Sequence, residues 1–378
     1  MVTGVAALVS VLVLTVSNGG WLTLRYYDNK VSRVPLTFPT TDRRPGGAGG
    51  GTRNILLVGS DSRAGTSGEF GEVEGQRSDT TILAHLDADG STTLASFPRD
   101  LWVTIPAYTD STGRGHAAQK SKLNAAFALG GPSLLVRTIE GLTKIRVDHY
   151  LQIDFVGFQR MTDALGGVTV CVKPLPGGST SNLNDKMSGW HGHVGDNRLN
   201  GEQALAFVRQ RYGLPEGDLD RIRRQQQFIG VIFRAATSTA TVTNPVRLGS
   251  LLDAATSSVT VDTGTSLTDL QPLAVRLRGV GTGGVRFETV PASPGQAGGQ
   301  SVLLIDPNKL AAFLAGLSGP RPSASAMPLG AVPVDAAVLL PGGPAITLVA
   351  ATAAAGTPAG APAVTTAAAG ATGGSCTY

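Results

Sequence analysis

Two hydrophobic periods alternate along the middle of the chain. Short apolar runs, typical of buried strands, are separated by segments in which apolar residues recur every three or four positions, as in amphipathic helices. The runs predict strands at residues 55–58, 82–86, 92–97, 147–153, 168–172, 285–290 and 301–305. The longer period predicts helices at residues 122–129, 155–165, 201–210, from 218 or 220 to about 236, at about 266–278, and from Pro307 onwards. Gly130-Gly131 is expected to end the first of these, Asp154 to cap the second, and Asp218 or Asp220 to cap the long helix.

The connections between these elements predict a mixed sheet. Residues 87–90 join two apolar runs and contain the Asp-Gly pair of a hairpin turn, so strands 82–86 and 92–97 are expected to be antiparallel. Helices separate most of the other strands, and such connections are typical of crossovers between parallel strands. The patterns together predict an α/β fold, a three-layer α/β/α sandwich with a central mixed sheet.

The two ends of the chain differ from this middle part. Residues 1–24 are mostly apolar and uncharged, which predicts a transmembrane signal anchor, with a cleaved signal peptide and a buried core helix as alternatives. Residues 25–53 are rich in proline and glycine and are expected to form a flexible stalk. Residues 54–318 would then form the folded domain, and residues 319–378 a low-complexity, partly disordered tail.

The charges beside the apolar N-terminus conflict with a domain outside the cytoplasm. No Lys or Arg precedes the apolar run, whereas Arg25, Lys30 and Arg33 follow it, which alone would place the next segment in the cytoplasm. We expect the true start to lie upstream of Met1, so that the anchor is single-pass and the domain is extracytoplasmic.

Charge and cysteine content narrow the function and the compartment. The net charge is +4 over 378 residues, which suits phosphate or anionic lipid but is far from the dense basic surface of a nucleic-acid-binding protein. The two cysteines, Cys171 and Cys376, lack the spacing of metal ligands. Outside the cytoplasm an even pair indicates a disulfide, the alternative being two unrelated thiols.

Two short segments combine a carboxylate with an arginine near the first predicted strands. Asp61 and Arg63 follow the first strand, and Arg77 and Asp79 precede the second. Carboxylates beside arginines suit a divalent cation that binds a phosphate, because the metal takes oxygen ligands and the phosphate takes forked donors. A turn at Asp61 with an exposed arginine, and a polar strand entry at Asp79, are the simpler alternatives.

Arginines are densest between residues 208 and 226. At spacings of three and four residues, Arg221, Arg224 and Gln225 are expected on one face of a helix. Guanidinium groups this close repel one another unless a highly charged anion lies among them, and a pyrophosphate supplies that charge. A solvated basic helix with acidic partners is the alternative. The arginines of the stretch are Arg209, Arg211, Arg221, Arg223 and Arg224.

Arg99 and Asn124 are further candidates. Arg99 follows Pro98, which ends a strand and projects the arginine from it; a surface salt bridge with Asp100 is the simpler alternative. Asn124, near the start of a predicted helix, either caps that helix or orients a substrate. The five histidines do not cluster around a nucleophile, and no Walker A, G-x-S-x-G or H-E-x-x-H motif is present.

In their order along the chain, these motifs resemble those of the LytR-CpsA-Psr (LCP) family of cell-wall ligases. The resemblance covers about residues 54–235 and weakens towards residue 317. Each stretch alone is a weak signal, but eight in the same order are specific. The matching stretches are residues 54–63, 77–80, 97–100, 122–126, 154–158, 166–168, 199–211 and 217–226.

The resemblance implies a catalytic domain that binds a polyprenyl-pyrophosphate-linked glycopolymer with Mg²⁺, or Mn²⁺ in its place. Such a phosphotransferase moves the glycosyl phosphate to a peptidoglycan hydroxyl, the polymer being teichoic acid, capsule or arabinogalactan. The implied metal ligands are Asp61 and Asp79, and the implied catalytic residues are Asp79, Arg99, Arg209 and Arg211. The implied pyrophosphate ligands are Arg63, Arg77, Arg99, Arg209, Arg211, Arg221 and Gln225.

Two other functions stay open at this point. One is a metal-dependent pyrophosphatase acting on the same lipid, and the other is a membrane-anchored envelope regulator without enzymatic activity. The glycine-rich residues 64–76 lengthen the gap between the acidic segments, so Asp61 and Asp79 meet only if that loop folds back. A lipid tail would need an apolar groove, for which helices 155–165 and 222–233 are the candidate walls.

Overall fold

The computed structural model describes residues 18–40, 42–61, 78–279, 284–318 and 376–378. Most of its longer strands coincide with the predicted apolar runs. The strands are β1 (Ser32–Val34), β2 (Arg53–Ser60), β3 (Ser78–Leu86), β4 (Thr92–Ser96), β5 (Trp102–Ile105), β6 (Tyr108–Thr109), β7 (Gly115–His116), β8 (Gln119–Lys122), β9 (His149–Asp154), β10 (Val168–Val172), β11 (Asn184–Asp185), β12 (Trp190–His191), β13 (Gly195–Leu199), β14 (Val259–Asp262), β15 (Val285–Thr289), β16 (Ala292–Ala297) and β17 (Gln300–Ile305).

The helices begin with α1, whose described residues are 18–30. Asp154 caps α3, because its side chain accepts a hydrogen bond from the Gly157 amide at 2.7 Å, as the sequence predicted. The other helices are α2 (Leu123–Thr143), α3 (Phe155–Ala164), α4 (Gly201–Arg209), α5 (Asp218–Ala236), α6 (Thr239–Val242), α7 (Pro245–Ser258), α8 (Leu267–Leu277) and α9 (Pro307–Ser318).

A mixed sheet forms the centre of the described part of the chain. Its strand order is β1-β14-β9-β2-β3-β4-β15. β2 pairs in parallel with β9 and antiparallel with β3, and β3 continues antiparallel into β4 through the predicted hairpin. The prediction of a mixed sheet is confirmed.

Helices cover both faces of this sheet, because successive side chains of a strand point to opposite faces. Leu56 of β2 belongs to an apolar cluster with Leu135 of α2 and Leu317 of α9. Its neighbour Ile55 belongs to a different cluster, with Leu277 of α8. The arrangement is therefore helix, sheet, helix.

A further apolar cluster lies beside the sheet, among α3, α4, α5, β10 and β13. Phe155, Val170, Leu199, Phe207 and Phe228 are buried members of it, each less than 9% exposed. This cluster fixes the mutual position of α3 and α5, the two helices that the sequence predicted as walls of a lipid groove.

Residues 376–378 add to the edge of β10. Cys171 and Cys376 are joined by a disulfide, with a Cα–Cα distance of 4.6 Å. Thr377 bridges Val172 in parallel, and its carbonyl accepts a hydrogen bond from the Lys173 amide at 2.8 Å. The segment is thus held by backbone bonds as well as by the covalent link.

Part of the predicted stalk belongs to the domain. β1 pairs in parallel with β14, and Arg44 donates to the buried Glu140 of α2, from Nη2 to Oε1 at 2.6 Å. The prediction of a flexible stalk is therefore wrong for these residues. Local proline and glycine content does not reveal a partner strand more than 200 residues away in the chain.

Most of the predicted anchor, residues 1–17, lies outside the described residues, as do residues 319–375 of the predicted tail. Searching the described residues for a helix long and apolar enough to span a bilayer gave none.

Two helix predictions need correction. The predicted end at Gly130-Gly131 is a break inside α2: both glycines leave helical geometry, and the helix resumes at Pro132, which suits a first turn. α5 begins at Asp218, and its N-cap is Gly217 with φ of 53°, so the predicted aspartate caps are wrong. The acidic residues lie in the first turn instead.

Candidate active site

One edge of the central sheet brings the two acidic segments to the same place. β2 and β9 end at this edge and β3 begins there, with Ser60 paired to Ser78 on one side and to Asp154 on the other. The register shifts between Gly59 and Ser60, a bulge of the kind that redirects side chains beside sites. A Cβ at Gly59 would lie 3.1 Å from the Cβ of Thr80, so any larger residue here would have to displace the Thr80 side chain by a few tenths of an ångström.

Asp79 and Arg99 meet at this edge. Asp79 is the second residue of β3, and Arg99 follows the turn after β4, in which the Phe97 amide donates to the Thr81 carbonyl at 2.8 Å. Arg99 Nη1 donates to Asp79 Oδ1 at 2.5 Å. The simpler alternative, a surface pair of Arg99 with Asp100, is the weaker contact, since those atoms lie 3.7 Å apart.

The first turn of α5 extends this pair into a chain of alternating charges. Asp218 Oδ1 lies 3.7 Å from Arg99 Nε and 2.6 Å from Arg221 Nη2. The carboxylate also lies in the first turn of α5, near the positive end of the helix dipole, which attracts negative charge. Asp218 therefore holds Arg99 and Arg221 next to each other despite their like charge.

Arg209, Arg211 and Gln225 complete the polar end of the site. The Arg209 guanidinium lies 4.7 Å from the centre of the Phe155 ring, and Arg211 Nη2 donates to the Tyr212 hydroxyl at 3.1 Å. Gln225 Nε2 donates to the Val208 carbonyl at 3.4 Å. We call Arg99, Arg209, Arg211 and Arg221 the arginine cluster; all four line one cavity, together with Asp79 and Gln225.

This cavity has a volume of about 380 Å³ and a mostly apolar lining, to which Asp154 and Asp185 add charge besides Asp79 and the arginine cluster. One face of α5 passes from polar to apolar residues along the cavity. Arg221 and Gln225 are followed on this face by Ile229 and Ile232. Helices α3 and α5 both line the cavity, as the sequence predicted. The apolar lining residues are Leu57, Val58, Ile82, Leu151, Ile153, Phe155, Phe158, Met161, Met187, Leu205, Val208, Phe228, Ile229, Ile232, Phe233, Val259 and Leu273.

The arginine cluster has buried donors without acceptors. Burial lowers the pKa of Arg221, against the opposing effect of Asp218. Burial also acts to lower the pKa of Arg99, but Asp79 and Asp218 outweigh it and raise that pKa. Nε of both arginines makes no hydrogen bond within the described part of the chain. Because a buried unpaired donor is costly, this end of the cavity suits an anion that supplies acceptor oxygens.

The carboxylates suit a metal ion only in part. Among the described residues, no group of three or more His, Cys, Asp or Glu side chains could hold one. Asp79 lines the cavity, and Asp218 reaches the same guanidinium; Asp61 follows the last residue of β2. Two carboxylates fit Mg²⁺ if phosphate oxygens and water complete its shell, which is the usual way this ion binds nucleotides and other phosphates.

Three predictions for site residues have other outcomes. Arg63 and Arg77 lie outside the described residues. Arg224, expected on the face of Arg221, is fully buried on another side of α5, where it donates to protein oxygens. The prediction that Arg221 and Arg224 share one face of the helix is therefore wrong. The part of α5 that faces the cavity is too narrow to include both residues of an i, i+3 pair.

Sequence reasoning also missed two residues of the site. Asp218 was considered only as a helix cap or a partner of a solvated helix, although its position three residues before Arg221 is the spacing of a helical ion pair. Tyr212 lines the cavity while 54% exposed, and no pattern in the sequence distinguishes it from a surface tyrosine.

Comparison with known proteins identifies the family. The sequence profile of the LytR_cpsA_psr family matches residues 28–318. This chain belongs to that family. Its fold agrees with a solved LytR-Csp2A-Psr enzyme from Actinomyces oris, with a TM-score of 0.56 and 22% identity over 76% of this chain and 96% of that one.

Two relatives have functional names. The cell wall biosynthesis protein LcpA of Corynebacterium glutamicum is 34% identical over 340 residues, 82% of this chain. The polyisoprenyl-teichoic acid–peptidoglycan teichoic acid transferase TagU of Enterococcus faecalis is 37% identical over 192 residues, 50% of this chain. The matches span 64% of the length of LcpA and 56% of that of TagU.

Proposed function

We propose that this family member transfers a glycosyl phosphate from a polyprenyl-pyrophosphate carrier to a hydroxyl of peptidoglycan. The observation that carries the proposal is the arginine cluster at one end of a mostly apolar cavity. The names of LcpA and TagU, which concern cell wall biosynthesis and transfer to peptidoglycan, support it.

The apolar part of the cavity would hold the lipid tail. Its walls are mainly aliphatic and aromatic side chains of α3, α4, α5, α8 and the central sheet, which suit a prenyl chain. Burying such a chain is favourable by about 25 cal/mol per Å² of apolar surface. A tail held there would place its diphosphate at the arginine cluster.

The arginine cluster would then bind the diphosphate and stabilise the leaving group. In the reaction, the acceptor oxygen forms a bond to the phosphorus that carries the sugar, and the bond from that phosphorus to the lipid phosphate oxygen breaks. Negative charge develops on the departing lipid phosphate, where preorganised guanidinium groups are most effective. Gln225 and the predicted ligands Arg63 and Arg77 would complete the binding of the diphosphate.

The carboxylates would have two roles. Asp79 and Asp218, with Asp61 as the further predicted ligand, would hold Mg²⁺, which neutralises phosphate charge when bound. Asp79 is also the proposed acceptor of the proton that the attacking hydroxyl loses. Its hydrogen bond from Arg99 fixes the carboxylate at the edge of the cavity, where that hydroxyl would arrive.

The proposed location is the outer face of the cell membrane, with the chain held by its N-terminal segment. The disulfide between Cys171 and Cys376 supports this location, because such bonds persist in oxidising compartments outside the cytoplasm. The membrane and the peptidoglycan acceptor would then both be within reach of the domain.

A direct assay tests the proposed function. The full chain, in detergent, is given a prenyl-diphosphate-linked sugar and soluble peptidoglycan glycan, with Mg²⁺ or with a chelator. We expect transfer to the glycan with Mg²⁺, and a rate roughly 10²–10³-fold lower for Arg99→Ala, the usual cost of removing one charge-stabilising donor. Release of free glycosyl phosphate without transfer would indicate a pyrophosphatase and contradict the proposal.

A further inference from the structure

A second depression in the surface shares part of the arginine cluster. It is a polar groove of about 680 Å³, and Arg99 and Arg211 line both it and the apolar cavity. The other walls come from the hairpin β5–β8, the first turns of α2 and the end of the hairpin β16–β17. They are Asp100, Ser121, Lys122, Asn124, Ala125, Ala128, Leu129, Gln300 and Ser301.

The groove and the cavity approach the arginines from different faces of the sheet. α2, which walls the groove, packs on the face of Leu56, whereas Ile82 in the cavity wall belongs to the cluster of the opposite face. The Asn124 amide donates to the Arg99 carbonyl at 3.1 Å, so the first turn of α2 is fixed directly beside that arginine. A group bound in the groove would therefore meet the diphosphate from the side away from the lipid tail.

Apart from the shared Arg99 and Arg211, the lining of the groove is neutral and offers hydrogen-bonding groups. Lys122 Nζ and Asp100 Oδ1 pair at 2.9 Å, which compensates these two charges internally. The side chains of Ser121, Asn124 and Gln300 make no hydrogen bond within the described part of the chain. Free amides and hydroxyls beside the small Ala125 and Ala128 suit the hydroxyl and acetamido groups of a sugar chain.

We propose that this groove binds the glycan acceptor, with Asn124 and Gln300 as residues that position it. The proposal rests on the proposed function and adds the location of its second substrate. Phosphoryl transfer needs the attacking and leaving oxygens in line on opposite sides of phosphorus. With the lipid phosphate leaving towards the cavity, the attacking hydroxyl has to come from the side of the groove, and its proton passes to Asp79.

The position of Asn124 also decides between its two sequence interpretations. The N-cap of α2 is Lys122, with no side-chain cap hydrogen bond, and Asn124 lies within the first turn. Its side chain lines the groove. The interpretation as a cap is therefore wrong, and the one as a substrate-orienting residue agrees with its place.

Steady-state kinetics test the groove with Asn124→Ala, Gln300→Ala and the matched control Gln119→Ala, an exposed glutamine of β8 that does not line the groove. Glycan fragment and prenyl-diphosphate-linked sugar are varied separately. We expect the KM for the glycan to rise about tenfold for Asn124→Ala and about fivefold for Gln300→Ala, as for one lost hydrogen bond. The KM for the donor should stay within about twofold, and the control should match the wild type.

A steric variant gives an independent readout. Ala128 is exposed, so Ala128→Trp should fold and fill part of the groove. We expect weaker glycan binding together with an unchanged Kd for the donor by calorimetry. A raised donor Kd would show that the groove holds the donor sugars, and unchanged constants in all variants would show that it holds neither; both results overturn the proposal. Wild-type protein that transfers nothing would instead overturn the proposed function itself.

Discussion

Two arginines three residues apart in α5 are both buried, but their donors have different surroundings. Arg224 is fully buried and donates to the Tyr378 backbone oxygen and to Gln210 Oε1, each at 2.6 Å, and to the Asn182 carbonyl at 3.0 Å. Arg221 is 5% exposed and pairs with Asp218, but its Nε makes no hydrogen bond to a described residue.

The difference separates a guanidinium group that stabilises the fold from one that is prepared for a ligand. Burial lowers the pKa of both, so each charge is costly to bury. At Arg224, protein oxygens offset that cost. At Arg221 part of the cost of burial is not offset, because the buried Nε donor is unpaired; such a donor costs about 1–3 kcal/mol until an anion binds to it. The region of residues 376–378 is therefore expected to govern stability, and the arginine cluster to govern binding.

Removing the disulfide should have the largest effect on stability. The bond closes a loop with a sequence separation of 205 residues. In the double variant Cys171→Ser/Cys376→Ser we expect the free energy of unfolding to fall by roughly 4 kcal/mol, since long loops gain most from a cross-link. Guanidinium unfolding measures this, with the reductant-treated wild type as a second sample. The affinity of the folded variant for the prenyl diphosphate donor should stay unchanged. If the free energy of donor binding falls by more than the free energy of unfolding, residues 376–378 and the arginine cluster do not have the separate roles proposed for them.

Arg224→Met should come next, with a loss of about 3 kcal/mol of unfolding free energy. The substitution keeps much of the side-chain volume but leaves carbonyl and amide oxygens without donors in a buried site. Urea unfolding measures the loss. The donor Kd, measured at low temperature where the variant is folded, should stay close to the wild-type value.

The matched control for Arg224 is its neighbour Arg223. Its side chain is 49% exposed and pairs with Glu216 and Asp220. The guanidinium is half exposed, and the buried Asp220 keeps its hydrogen bond from the Glu216 amide, so Arg223→Met should lower the free energy of unfolding by about 1 kcal/mol, clearly less than Arg224→Met. Equal losses in Arg223→Met and Arg224→Met would contradict the assignment of Arg224 to the core.

Arg221→Met should have the opposite effect to Arg224→Met, with a large loss of donor affinity and a small loss of stability. We expect donor affinity to fall about 100-fold, because the diphosphate loses a charged, buried donor. The free energy of unfolding should fall by about 1–2 kcal/mol, less than for Arg224→Met, because the variant removes an unpaired donor but leaves Asp218 with Arg99 only, at 3.7 Å. Calorimetric titration with a short prenyl diphosphate measures the affinity. A large loss of stability with normal binding would make Arg221 a structural residue like Arg224.

Local patterns in the sequence predicted much of the sheet and the site. The apolar runs located β2, β3, β4, β9 and β10, because buried strands are visible in their own composition. Asp79 and Arg99 are predicted from their place at strand ends, and Arg209, Arg211 and Gln225 from the arginine-rich stretch; the structure brings all five to one cavity. Such predictions succeed when the information lies within a few residues.

Features set by distant contacts could not be predicted in this way. β1 and β14 are short strands that pair although they lie more than 200 residues apart in the chain. Helix α7 precedes β14 and was missed, because serine, threonine and alanine dilute its apolar period. The different surroundings of Arg221 and Arg224 depend on which neighbours α5 packs against, and helical spacing alone does not predict them.

Asp218→Asn should give the smallest effect and the finest test of the comparison. Asp218 holds Arg99 and Arg221 together, and it is one of the two carboxylates proposed for Mg²⁺. In the variant, the Asp218 side chain no longer competes with the diphosphate for the two arginines, but the metal loses a carboxylate ligand. The ratio of prenyl diphosphate affinity with Mg²⁺ to that with a chelator should therefore fall about tenfold. The control Asp220→Asn removes another first-turn carboxylate, bonded instead to Arg223, and should leave the ratio unchanged. If the two variants have the same ratio, Asp218 has no part in metal binding and serves only to align the arginine cluster.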